Sequence, residues 1–165
     1  MALRPELHPP ALDPEMVDTA EHLVADIVDG LDTGDDVSAP LEMLRALSGH
    51  DDLEAEYYRE LYGHMTDRDA AEIALTPEAP RVTDLTRAEF IDIVERIRSV
   101  LSEREYHYYL SLFDRNVAHP AVSDLIHYPA QDWLDRLGKA EPSAEDIVDE
   151  ALSAQAITTE LPEYE

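Results

Sequence analysis

The side chains in this sequence that could do chemistry are carboxylates and imidazoles: 38 Asp and Glu and seven His, with no Cys. Such a set permits metal ligation or carboxylate acid–base chemistry. His107, His119 and His127 with a carboxylate are the candidate metal ligands, but none sits in an HExxH or another compact ligand spacing. Asp13 with Glu15, and Asp51 with Asp52, are candidate acid–base pairs. Adjacent carboxylates arise freely in so acidic a chain, and these read better as charges at helix starts. The sequence contains no GxSxG, P-loop or Gly-rich phosphate cradle. The expectation is a protein that is not an enzyme and needs no metal or cofactor.

Recognition is the other chemistry open to it. The stretch "EYHYYLSLF", Glu105 to Phe113, holds three tyrosines and a histidine in four consecutive positions, so they cannot all point inward. With an apolar face centred on Leu110 and Phe113, Tyr106 or Tyr109 turns towards the core, while His107 and Tyr108 stay more exposed. A second stretch, "HPAVSDLIHYPAQDW", His119 to Trp133, places Asp124, Leu125, Ile126, His127 and Tyr128 between two prolines. Tyrosine offers a rigid apolar body with a hydroxyl handle, the type found in binding hot spots.

Charge narrows the partner. Twelve Lys and Arg against 38 Asp and Glu leave a formal charge of -26, which argues against autonomous binding to nucleic acid or to an anionic membrane. A basic protein is the natural complement, and carboxylates beside exposed tyrosines speed encounter with it. Residues 1–80 carry -16 of that charge and 81–165 carry -10. Without cysteine there is no disulfide framework. No apolar h-region opens the sequence and no stretch approaches a membrane span, so the reading is cytoplasmic.

The elements that position these residues read as helices throughout. Asp13 before Pro14 starts one whose face is Met16, Ala20, Leu23, Val24 and Ile27, with Gly30 as a stop. Ser38 to Ser48 is a second, with Leu41, Leu44 and Leu47 inward. "DLEAEYYRELYG" is a third, with Leu53, Tyr57 and Leu61 on one side, and Thr66 with Asp69 opens a fourth. The segment Thr76 to Thr83 is the boundary, giving an acidic helical module at 1–80 and a second module at 81–165. There Thr86 and Glu89 form a capping box, with Leu85 and Phe90 as its staple; Ser102 and Glu105 form another. Phe90, Ile93, Val94, Ile97 and Leu101, then Tyr106, Tyr109, Leu110, Phe113 and Val117, supply core faces. After a connection containing Trp133, Ser143 and Asp146 start a last helix with Ile147, Val148, Ala151 and Leu152 buried. The two modules are either an old duplication or similar only as amphipathic helices are.

The order "DLTRAEFIDIVERI", "LFDRNVAHP", "SDLIHYP", "PSAEDIV" resembles the small immunity proteins that protect bacteria from colicin and pyocin DNases. The resemblance implies an all-α module, a distorted antiparallel four-helix bundle whose short third helix is capped by Ser123 and ended by Pro129. It also implies binding and inhibition of a cognate nuclease bacteriocin, of the HNH DNase type, through its basic cytotoxic domain. The anchoring pair falls on His127 and Tyr128, the short-helix aspartate on Asp124, and the second-helix acid on Asp114. The partner-selecting positions fall on Glu103, Tyr106, His107 and Leu110. His127 departs from the usual tyrosine, the tail "SAQAITTELPEYE" lacks the family's Trp, and family members are about half this length. In residues 1–80, Tyr57 and Tyr58 stand roughly where His127 and Tyr128 do. The alternative is an acidic helical adaptor or polyanion mimic for another basic protein.

Overall fold

The computed structural model describes residues 2–61, 63–99 and 101–159, with side chains as far as Ala154; the last six residues of the tail lie outside it. All regular elements among the described residues are helical: a 3-10 turn, Pro5–Leu7, then α1 (Pro14–Thr33), α2 (Ser38–Ser48), α3 (Ala55–Leu61), α4 (Asp67–Leu75), α5 (Arg87–Arg98), α6 (Glu103–Asn116), α7 (Val122–His127), α8 (Gln131–Leu137) and α9 (Ala144–Thr159). They form two compact units. One gathers residues 1–8, 78–101 and 108–165; the other gathers 9–77 and 102–107. In sequence, the second interrupts the first.

In the 9–77 unit, Asp13 accepts from the Glu15 N–H and α1 begins at Pro14. The helix runs past Gly30 and closes at Gly34, whose φ of 77° supplies the left-handed residue that ends it. Gly30 serves close approach instead, since a Cβ there would lie 2.5 Å from the Val37 side chain. α1 packs on α4, α2 and α3, burying Ala20, Leu23, Val24 and Ile27 with Leu41, Leu44, Ala71 and Ala74. Met16 lies outside this core, 37 % exposed. The tyrosine pair in α3 is the reverse of the expected one: Tyr58 is 2 % exposed and Tyr57 38 %. α3 starts at Ala55, and its turn carries Tyr58, not Tyr57, into the cluster with α1. The Tyr58 hydroxyl has no hydrogen-bond partner among the described residues, and burial pushes it up to about 12.

The capping boxes position the other unit. Thr86 accepts from the Glu89 N–H while Glu89 accepts from the Thr86 N–H, starting α5. Ser143 and Asp146 exchange the same two bonds before α9. α5 packs on α9 and α7 packs on α9. Phe90 meets Phe113 edge to face with ring centroids 6.1 Å apart, and Ile93, Val94, Leu112, Ile147 and Val148 are wholly buried. The segment read as a connection folds as α8, because Trp133 and Leu134 are both buried and Gly138 closes the helix at φ 66°.

Residues 2–8 complete this unit from far away in sequence. Leu3 and Leu7 are 3 % and 1 % exposed, and the Leu3 N–H donates to Asp92. Arg4 donates to Glu89 at 2.5 Å and to both carboxylate oxygens of Asp84 at 3.1 Å. His8 Nδ1 lies 2.7 Å from the Tyr109 hydroxyl. Glu89 is 5 % exposed, and its two Thr86 bonds and Arg4 compensate its burial.

An acid prediction follows from these carboxylates. The Thr86 N–H and Arg4 hold Glu89 below the usual carboxylate range. Arg4 does the same to Asp84 and Arg87 to Asp149. Lys139 with the Ser143 N–H brings Asp146 down to about 2. A pKa depressed by folding contributes stability above its unfolded value, lost as pH falls through the folded one. The melting temperature of this unit should be level near neutrality, then fall from the ordinary glutamate value of 4.5 towards 2. A Tm series read at Trp133 checks this, and Lys139→Ala should lower the neutral plateau and shrink the acid fall, because the folded Asp146 then returns towards its ordinary value.

Candidate functional site

α7 is six residues long and its phase is set by Val122, Leu125 and Ile126, all buried. These lie at i, i+3 and i+4, so they share one face. The intervening Asp124 and His127 are left on the other face, exposed with Tyr128. Helical bonds run from the Leu125 N–H to Ala121 O at 3.3 Å and from the Tyr128 N–H to Asp124 O at 2.8 Å. Pro129 has no N–H with which to continue the ladder. Tyr128 is 79 % exposed, the most exposed large hydrophobic side chain among the described residues. Its ring and that of His127 meet edge to face, centroids 6.4 Å apart.

The start of α7 differs from expectation. Ser123 lies inside the helix, and Ala121 occupies the cap position without a side-chain bond. The neighbouring polar bond comes from His119, whose Nδ1 accepts from the Ala121 N–H at 3.1 Å.

The first residues of α6 belong to one unit and those from 108 onward to the other. In the unit containing 102–107, Ser102 and Glu105 make the expected box: the Ser102 N–H donates to Glu105 at 3.3 Å, and the Glu105 N–H donates to Ser102 Oγ at 3.2 Å. Glu103 is exposed in the first turn, Tyr106 and His107 are partly buried, and His107 Nε2 is 3.8 Å from Glu103. In the unit containing 108–165, Leu110 is partly buried and Asp114 exposed. Tyr108 is buried at 6 % along with Tyr109 at 2 %, against the expectation that it stays outside. The two rings pack edge to face at 5.8 Å, and Leu112 and Phe113 complete the buried stripe one turn on.

Asp114, Asp124, His127 and Tyr128 are thus all solvent-facing side chains of one unit, and Asp124, His127 and Tyr128 adjoin on α7 and its cap. Glu103, Tyr106 and His107 belong to the other unit. Sequence reasoning missed the carboxylates of α8, where Asp132 and Asp135 are exposed and Gln131 donates to Asp135 at 2.8 Å. The signal was present in Trp133, Leu134 and Leu137, apolar at helical spacing.

The exposed side chains at the end of this six-residue helix are thus an acid, an imidazole and a phenol, Asp124, His127 and Tyr128. Residues 82–156 match the family model of colicin immunity protein / pyocin immunity protein. The matched segment begins before α5 and ends within α9, so α7 and its exposed face lie inside it. No curated protein and no solved structure matches the chain. No group of three or more metal-ligating side chains occurs among the described residues, and no described helix is long and apolar enough to cross a membrane.

Proposed function

We propose that this chain is a bacteriocin immunity protein that binds the basic cytotoxic domain of a cognate nuclease, of the HNH DNase type, in the cytoplasm and blocks it. The observation that carries the reading is the coincidence of the immunity-family segment with Tyr128, an almost fully exposed aromatic in a buried-phase helix. Tyr128 is the anchor, with His127 beside it. Asp114 and Asp124 meet cationic groups of the toxin, and Glu103, Tyr106, His107 and Leu110 select among toxins. The enzyme is stopped by occupation and by field: a body of charge -26 next to a nuclease site repels the phosphate backbone.

The chemistry asked of the protein is binding alone, so no cofactor enters. The acidic module at 1–80 adds negative charge that steers association. The test is a nuclease protection assay with the full chain and the toxin encoded beside its gene. Inhibition should be complete at one equivalent. Absence of both inhibition and complex formation overturns the immunity reading for that pair. Complex formation with the basic toxin that survives loss of the α7 face would instead favour an acidic adaptor acting through residues 1–80.

A further inference from the structure

The chain is strongly acidic, yet three of its twelve basic residues, Arg81, Arg87 and Arg115, line one cavity of about 650 Å³. Phe90, Val117 and Leu152 give it an apolar wall. We propose that this cavity binds a phosphate monoester carrying an apolar body, a site separate from the α7 face and independent of toxin binding.

The wall is preorganised. The Asn116 side chain accepts from the Val82 N–H at 2.7 Å and donates to the Pro80 and Leu112 carbonyls at 2.9 and 2.8 Å, tying the approach to α5 onto the end of α6. Arg87 is fixed by two bonds to Asp149 at 2.7 and 2.9 Å, and Arg115 by one to Glu78 at 3.1 Å. The charges do not cancel completely. Arg81 is exposed with no hydrogen bond or ion pair among the described residues, and the buried Arg115 Nε likewise has no acceptor there. The cavity therefore holds one uncommitted guanidinium, that of Arg81.

The ligand class follows from what already competes for these groups. Glu78 and Asp149 are carboxylates, so a monoanionic carboxylate would gain little by exchange. A phosphate monoester carries a charge of about -1.5 to -2 and three acceptor oxygens, matching the fork of arginine donors. Its organic part has Phe90, Val117 and Leu152 to cover, and the volume lies in the ordinary range for small-ligand pockets. Repulsion from remote carboxylates is screened beyond about 10 Å at 0.1 M salt.

Calorimetric titration of the full chain with phenyl phosphate tests the site, with phenol and inorganic phosphate as controls. The expected result is single-site binding to phenyl phosphate, tighter than to either control and weakened about tenfold by Arg81→Gln. Arg81 gives up no described contact, so circular dichroism of R81Q should overlay that of the parent. Phenyl phosphate binding no better than phenol, or affinity unchanged in R81Q, overturns the assignment.

Discussion

Replacing Leu3 and Leu7 together by alanine is expected to destabilise the unit that carries α7 by about 5 kcal/mol, since each buried leucine removed from a core costs about 2–5 kcal/mol. Both side chains are almost wholly buried, and between them Arg4 reaches the carboxylate of Glu89. Small domains have a total stability of about 5–15 kcal/mol, so the double variant sits near the unfolding threshold. Trp133, the only tryptophan, is buried in this unit and reports on it selectively in urea. A loss below about 1 kcal/mol would mean that residues 2–8 merely rest on a unit that stands without them. Arg4→Ala should cost less than the double leucine variant but more than a typical surface change, because it leaves Glu89 buried with only its Thr86 bonds.

The second large effect is on the proposed binding. Tyr128→Ala should weaken the complex with the cognate nuclease by about 2–4 kcal/mol, roughly 30- to 1000-fold in Kd, as truncation of a central aromatic anchor does. Stability should move by no more than about 0.5 kcal/mol, because the ring is 79 % exposed and packs on little besides His127. Tyr128→Phe separates packing from the hydroxyl: a small loss assigns the energy to the ring, a large one to its hydrogen bond. Asp124→Asn acts differently, slowing association and flattening its salt dependence more than it speeds release. Surface plasmon resonance distinguishes the two. Unchanged affinity in Tyr128→Ala would remove the α7 face from the interface.

The comparison with sequence reading separates local signals from distant ones. The boxes at Thr66, Thr86, Ser102 and Ser143 were legible because each is closed by a partner three residues on, and all four are present. The brevity of α7 was legible from its two prolines. Helical phase was harder. Tyr57 and Tyr58 differ by about 100° around α3, and the periodicity of seven residues is too short to choose between them. Tyr108 was expected outside because its face was centred on Leu110, whereas the helix turns Leu112 fully inward. The role of Leu3, Arg4 and Leu7 left no local trace at all. The hydrogen-bond partners of Leu3 and Arg4 lie 80 to 89 residues away, and a lone leucine beside an arginine looks the same in a tail as in a core. In the candidate site, the exposure of Asp124, His127 and Tyr128 could be read from the motif. The carboxylates of α8 could not, once its segment was taken for a connection.

The interruption of one unit by the other sets a schedule on the ribosome. Arg4 emerges 85 residues before Glu89. At about 5–20 residues per second, Leu3 and Leu7 therefore spend roughly 4–17 seconds without the surface that buries them. During that interval residues 9–77 have been made and lack only 102–107 of their unit, while the unit that carries α7 cannot close until α5 and the helices after it have been made. Nascent chains should thus gain protease resistance in two steps, with the unit that carries α7 last.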